Sequence, residues 1–353
     1  MNICFLEGDM SRRGGTERMT ALLANALSKT DTVWVISLQM RENCIFFPME
    51  SDVTHFQLRQ ENGKFGLFKQ ILEIRAFLRK NNIDWVINVD VGTCIYGISA
   101  SFGIKSKVIT WEHSNFYNNW GSRWFPHFRR FAAKYSDVMV VLTEKDKENY
   151  QKNIPSKKPV YVIANPAEKH DFLFDVESKM ILSAGLLLPI KGYDRAIQAA
   201  TKVLPRHPDW KWVICGEGCE RARLEKLIAE AHIEQQFLLK GTMQNMNEQY
   251  QKAAFYVMTS QMEGLPMVLL EAKSWGLPIV SFDIMTGPSD IIRNGENGYL
   301  VSPNDVDMLA EKIEMLICSK ELRKQFSEQS QVDMEKFNFE NIVSQWHNIL
   351  TLY

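Results

Sequence analysis

Two glutamates eight residues apart, Glu263 and Glu271, frame the tripeptide Gly264-Leu265-Pro266 and a short apolar run from Met267 to Leu270. Ionised carboxylates only accept hydrogen bonds, so a rigidly held pair suits a polyhydroxylated ligand. Pro266 fits the first turn of a helix, where its missing N–H costs nothing, and Glu271 then projects one to two turns further along. Gly276-Leu277-Pro278 stops that helix, and Ile279 to Phe282 returns as a buried strand. Two such glutamates alone would be a solvated helix face. The surrounding Gly and Pro residues set this pair beside a strand end, where α/β proteins bind ligands, and it reads as a nucleotide-sugar grip.

Other chemistry-bearing residues follow strand ends. Ser183-Ala184-Gly185-Leu186-Leu187 leads to Lys191-Gly192-Tyr193-Asp194 and a helix, so Lys191 can supply a cation to a diphosphate. Gly14-Gly15, reached through Arg12 and Arg13, opens a helix from Thr16 to Leu27, where backbone N–H groups can approach an anion or simply form a turn. Gly216-Glu217-Gly218 follows Trp212 to Cys215 and is open to the same two readings. Trp111-Glu112-His113-Ser114-Asn115-Phe116 lies just past another strand, and His113 is the leading active-site histidine. Gly287-Pro288-Ser289-Asp290 and Asn294-Gly295-Glu296-Asn297-Gly298 look mainly structural. The D-x-D at Asp305-Val306-Asp307 reads as helix capping, so no essential metal and no cofactor is expected.

The positioning elements alternate. Strands at Ile3–Leu6, Val33–Leu38, Trp85–Val89, Val108–Trp111, Val138–Leu142 and Val160–Ile163 form one set. Met180–Ala184, Trp212–Cys215, Phe237–Leu239, Ala254–Met258, Ile279–Phe282 and Tyr299–Val301 form a second. Helical stretches between them imply two open, mostly parallel sheets, with the connection from Asn165-Pro166-Ala167 through Ser178. The expected domains are residues 1–165, 166–336 and a terminal amphipathic helix in 337–353 carrying Ile342, Trp346, Ile349 and Leu350 at helical spacing.

The 353 residues are 45% hydrophobic and 24% charged, enough for two ordinary domains. A net charge of −1 gives no overall attraction to nucleic acid. Six scattered cysteines, Cys4, Cys44, Cys94, Cys215, Cys219 and Cys318, read as reduced core thiols, and Cys215/Cys219 lack zinc-site spacing. No apolar run reaches the ~20 residues of a membrane span, so a cytoplasmic protein is expected. Trp120, Arg123, Trp124, Phe125, Phe128, Arg129, Arg130 and Lys134 interleave aromatic and basic residues after the His113 loop. Either the face rests on anionic lipid, or the aromatics enter the core and the arginines are solvated.

The Glu263/Glu271 pair with its Gly-Leu-Pro resembles the E-x7-E signature of the retaining glycosyltransferases of family 4. The resemblance covers nearly the whole chain and implies a GT-B fold, two Rossmann-like domains facing across a cleft with the last helix crossing back to the first domain. It implies Glu263 near the donor sugar hydroxyls and Glu271 on the ribose. It places Lys191 on the departing phosphate and Gly185, Gly216, Gly218, Gly264, Leu265 and Pro266 around the donor. Gly14-Gly15-Thr16-Glu17 resembles the loop that faces donor and acceptor, and His113 stands where the family has a histidine close to the transferred sugar. The family has an arginine where this chain has Leu186, with Arg12, Arg13 or Lys273 as candidate substitutes. The implied activity is metal-independent, retaining transfer of a hexose or N-acetylhexosamine from a nucleotide diphosphate, UDP being favoured, to a lipid-linked saccharide or lipopolysaccharide precursor in surface-glycan assembly at the inner face of the plasma membrane. A noncatalytic sugar-nucleotide sensor or assembly partner and a sugar-nucleotide epimerase are the alternatives.

Overall fold

The computed structural model describes residues 1–59, 65–170 and 174–352. Residues 171–173 of the expected connection and residue 353 therefore lie outside the described residues. The chain divides into two compact units, Met1–Asn165 with Ile342–Tyr353, and Pro166–Asn341.

The first unit contains β1 (Asn2–Glu7), β2 (Thr32–Ser37), β3 (Val53–Gln57), β4 (Trp85–Val89), β5 (Lys107–Trp111), β6 (Val138–Val141) and β7 (Val160–Val162). They form one parallel sheet in the order β3-β2-β1-β4-β5-β6-β7. Every residue of β4 and β6 is buried, as expected of apolar, β-branched runs covered by helices on both faces. The edge strand β3 is absent from the sequence reading. Its Val-Thr-His-Phe-Gln run is mostly half-buried or exposed, and its His55 Nε2 meets Ser37 Oγ at 2.8 Å, so it carries little of the apolar signal by which strands are found.

The terminal helix Phe339–Leu352 buries Ile342, Trp346, Ile349 and Leu350, the four residues its spacing singles out. Trp346 meets the ring of Trp111 edge-on at 4.9 Å, and Trp85 Nε1 donates to Leu350 O at 2.9 Å. The last twelve residues thus return to the first unit.

The second unit contains β8 (Met180–Ala184), β9 (Lys211–Cys215), β10 (Phe237–Gly241), β11 (Phe255–Met258), β12 (Ile279–Phe282) and β13 (Gly298–Val301). These are also parallel, in the order β10-β9-β8-β11-β12-β13. In each sheet the strand order reverses once, between β1 and β4 and between β8 and β11. Loops leaving the carboxyl ends of such strands diverge and leave a crevice for ligands. Cys4, Cys94 and Cys215 are buried free thiols, whereas Cys44, Cys219 and Cys318 are exposed, which corrects the expectation of core thiols for those three. Their polar or loop surroundings keep them at the surface.

Candidate active site

In the second unit the β8 and β11 loops meet at the reversal point. Gln261 N–H donates to Ile190 O at 2.8 Å, and Thr259 Oγ1 donates to Lys191 O at 3.0 Å. Gly192 has φ +64°, and a Cβ there would stand 2.3 Å from Thr259 O, so this turn requires glycine. These contacts deliver Lys191 Nζ to Glu263 Oε1 at 2.6 Å. Both side chains remain partly accessible, at 22% and 15%. Thr286 Oγ1 holds the other side of the loop by donating to Glu263 O at 2.7 Å.

Pro266 is the residue preceding the helix Met267–Ser274 rather than a member of its first turn. Its extended backbone directs Gly264 and Leu265 away from the helix axis, with Leu265 buried beneath. Glu271 lies on this helix, half-buried, and its Oε2 accepts from Tyr250 Oη at 2.7 Å. The β9 loop approaches the β8 loop closely, because Gly185 N–H donates to Cys215 O at 3.0 Å and Leu187 N–H to Glu217 O at 2.9 Å. A Cβ on Gly216 would lie 1.9 Å from Gly185 O, so only glycine permits the approach. The structure therefore brings Gly185, Lys191, Gly216, Gly218 and Glu263 together through hydrogen-bonded loops.

Tyr193, Tyr256, Tyr250 and Thr259 support this set and were not singled out by the sequence reading. Tyr193 is buried, with its hydroxyl near Gly185, and burial followed by the negative charge of Glu263 raises its pKa, keeping the phenol protonated. Tyr256 Oη donates to Ala184 O at 3.1 Å and accepts from Ala184 N–H at 2.8 Å. Tyr193 adjoins Lys191-Gly192 and could have been noticed, whereas Tyr250 comes from a separate helix with no local signal.

Leu186 is 60% exposed beside this loop set. Lys273 does not replace the absent arginine, because its side chain is fully buried and paired with Asp333 at 2.7 Å. Arg12 pairs with Glu17 at 3.4 Å, and Arg13 lies over the Phe46 ring at 4.8 Å. Asp305 accepts from Met308 N–H at 2.9 Å, the capping role read from the D-x-D. One grouping of metal-ligand type occurs among the described residues, His207, Glu314 and Cys318, where Glu314 already engages Arg206 at 2.6 Å.

In the first unit, Gly14 precedes the helix Gly15–Leu27, and Glu17 folds back beneath it, buried. His113 sits in the loop after β5. That loop is ordered by Arg129, which is buried and donates from Nε to Glu112 Oε2 at 2.9 Å, from one terminal nitrogen to Asn119 Oδ1 at 2.9 Å, and from the other to Asn118 O at 2.6 Å and Asn115 O at 3.1 Å. Tyr150 Oη also donates to Glu112 Oε2 at 2.8 Å. Burial raises the Glu112 carboxyl, Asp90 adds to the rise, and Arg129 and Tyr150 oppose it.

His113 packs against Trp111 with ring centroids 4.1 Å apart. Burial pushes its imidazole down to about 3, so it is neutral at physiological pH. Its Nε2 and the neighbouring Trp111 Nε1 are buried without a hydrogen-bond partner among the described residues. Leaving such atoms unpaired is costly, so both ring nitrogens call for a partner beyond the protein's own described side chains.

The aromatic-basic segment divides. Phe125 and Phe128 pack on the core cluster, and Arg129 is the buried organiser just described, neither lipid-facing nor solvated. Trp120, Arg123, Trp124, Arg130 and Lys134 remain exposed. No helix among the described residues is long and apolar enough to cross a membrane.

Two doubly wound units, one offering a lysine–glutamate pair with a second glutamate one helix away, are the components of a GT-B glycosyltransferase. The chain belongs to glycosyltransferase family 4. The family profile "Glycosyltransferase Family 4" matches residues 13–169 and "Glycosyl transferases group 1" matches residues 165–333. The amylovoran biosynthesis glycosyltransferase AmsD of Erwinia amylovora is 30% identical over 353 residues, 97% of each chain. An α-1,4-N-acetyl-D-galactosaminyltransferase of Campylobacter jejuni, whose name specifies a diphosphate-undecaprenol saccharide, is 28% identical, covering 99% of this chain and 98% of its own. HepE from Anabaena, solved with UDP, superposes with a TM-score of 0.83 at 16% identity over the full length of both chains.

Proposed function

We propose that this glycosyltransferase transfers a hexose or N-acetylhexosamine from a UDP-sugar, with retention at the anomeric carbon and without a metal, to a lipid-linked saccharide of a surface polysaccharide. The single observation that carries the reading is the Lys191–Glu263 pair, held at 2.6 Å by loops from the two strands at the reversal point. A cation and an acceptor group fixed side by side suit the two ends of the bond that breaks, the diphosphate and the sugar. Lys191 would neutralise the departing phosphate, Glu263 would accept from the sugar hydroxyls, and Glu271, oriented by Tyr250, would accept from the ribose. The first unit contributes His113. A neutral imidazole can give or take a hydrogen bond from the sugar but brings no fixed positive charge, so charge compensation falls to Lys191 and to backbone donors. In same-face transfer the departing diphosphate takes the acceptor proton, and the protein positions and neutralises.

The relatives' names support the acceptor class, and exposed Trp120, Arg123 and Trp124 support contact with a membrane surface at the cytoplasmic side. Family membership favours transfer over the epimerase reading. The sensor reading retains one specific observation, exposed Leu186 at the arginine position.

The test is mass-spectrometric product analysis of the protein incubated with a panel of nucleotide sugars, with and without membrane lipid extracts. Transfer to lipid that disappears in Glu271→Ala, and that His113→Ala slows with little change in donor affinity, is expected. Saturable donor binding with no transfer to any of several extracts would support the sensor instead.

A further inference from the structure

A cluster of metal-ligating side chains in the second unit has no part in the transfer chemistry. His207, Glu314 and Cys318 each bring one ligand atom, and these atoms all lie within 4.8 Å of one another. Glu314 and Cys318 stand one turn apart on the helix Val306–Cys318 and so share one of its faces. His207 comes from the turn after the short helix Leu204–Arg206, just ahead of β9. The donor loop Gly216–Gly218 leaves the other end of that strand. Imidazole, carboxylate and thiol from two separate elements thus converge at the end of β9 far from the donor loop.

Neighbouring contacts hold these groups. Gln236 Nε2 fastens the His207 turn by donating to Leu204 O at 3.0 Å, His207 O at 2.9 Å and Trp210 O at 3.0 Å. Arg206 Nη2 donates to Glu314 Oε2 at 2.6 Å and is itself fixed on Lys202 O at 2.9 Å. That ion pair accounts for one oxygen of Glu314 and turns the other, Oε1, to His207 Nε2 at 3.4 Å. Two ligands of a tetrahedral zinc-type ion, each about 2.0–2.2 Å from the metal, stand roughly 3.3 Å apart, so this pair is already at ligand spacing. Cys318 is exposed, and its short side chain turns about a single bond, which makes it the ligand free to adjust. Hydrogen-bonded outer partners such as Arg206 are what orient the ligands of a metal.

We propose that His207, Glu314 and Cys318 bind a zinc-type divalent ion, with solvent at the fourth position, which clips the helix Val306–Cys318 to the turn before β9. A thiolate beside an imidazole selects a borderline metal such as Zn²⁺ over Mg²⁺ or Ca²⁺, which take oxygen ligands. Binding releases the Cys318 thiol proton to solvent, and His207 coordinates through Nε2 as the neutral imidazole, its proton on Nδ1. Set at the end of β9 away from the donor loop, the ion is structural, and its site stands whether or not the transfer reading holds.

The experiment titrates Co²⁺, a spectroscopic substitute for Zn²⁺, into the full chain stripped with EDTA and kept reduced by a phosphine. A thiolate-to-cobalt absorption band in the near ultraviolet is expected, saturating at one equivalent, displaced by Zn²⁺ and absent from Cys318→Ser. His207→Ala and Glu314→Gln should each weaken Co²⁺ binding at least about tenfold. Cys44→Ser/Cys219→Ser, which removes the other exposed thiols, should leave it unchanged. No saturable band, or a band that survives in Cys318→Ser, overturns the proposal. So does equal affinity in wild type and in either ligand variant, which would mean adventitious capture by an exposed thiol. Thermal unfolding is the second measurement, since an ion that binds only the folded chain stabilises it. Zn²⁺ should raise the Tm of wild type and leave that of Cys318→Ser in place, and an equal rise in both would also overturn the site.

Discussion

Replacing Arg129 with methionine removes a guanidinium that satisfies four acceptors in the loop carrying His113. Methionine retains much of the apolar stem, so the main loss is electrostatic. Glu112 is left fully buried with donors from Tyr150 at 2.8 Å and Ser114 N–H at 3.3 Å, and the Asn118 carbonyl and Asn119 Oδ1 lose the guanidinium, whereas Asn115 O keeps the Asn118 N–H at 2.9 Å. Burial raises the Glu112 carboxyl to about 8 even beside Arg129, so the cost depends on pH: where Glu112 is ionised, removing its buried partner costs about 3–5 kcal/mol, most of it the stranded charge, and the measurement is made above pH 8. The double variant Arg129→Met/Glu112→Gln removes that charge while its amide oxygen still accepts from Tyr150, so its deficit should shrink to about 1–3 kcal/mol, the cost of unsatisfied polar groups. Hydrogen exchange read by mass spectrometry over residues 107–153 measures the local stability, and urea unfolding measures the first unit as a whole. Turnover should fall with the loop's order while UDP affinity is retained. A single variant that loses less than about 1 kcal/mol, or a Glu112→Gln change that adds to the deficit instead of relieving it, would refute the assignment of Arg129 as the organiser of this loop.

Further expectations concern the charged groups of both units. For Lys191→Met and Glu263→Gln, a double-mutant cycle on kcat/KM should give a coupling of about 1–3 kcal/mol, and additive effects would show that the pair does not act as a unit. Leu186→Arg places a cation on an exposed position and should raise kcat/KM about tenfold, or about 1.4 kcal/mol; an unchanged rate would mean that the absent arginine is not limiting. With its pKa lowered to about 3, folded His113 stays neutral where an unfolded histidine, at 6.5, takes a proton. The stability it contributes is full above pH 6.5 and is lost as pH falls toward 3, at up to about 1.4 kcal/mol per pH unit. His113→Gln should flatten that part of the urea-stability profile, and an unaltered slope would refute the burial argument. Glu7 has the opposite sign, because burial, then Glu17, raises it to about 8: folded protein holds the proton from pH 4.5 to 8, stability declines as pH rises through that window, and Glu7→Gln should remove the decline.

The sequence alone determined the two alternating strand–helix sets, because fully buried parallel strands must be written as short apolar runs separated by polar or glycine-bearing turns, as at Trp85–Val89 and Ile279–Phe282. It also marked the stripe Ile342, Trp346, Ile349 and Leu350 and the glutamates at 263 and 271, since helical period and local motif are properties of neighbouring residues. It did not reveal β3, whose edge position demands little apolar surface. Nor could spacing tell that Arg129, five residues past Trp124, turns inward to Glu112 while Arg130 faces out, for that depends on Tyr150 and Glu112 arriving from other elements. The same holds for Lys191 on Glu263, seventy-two residues apart, and for Tyr250 on Glu271. Only the tertiary structure decided these, because charge pairing and desolvation are set by distance in space, and the strand order that closes those distances is written nowhere in the local sequence.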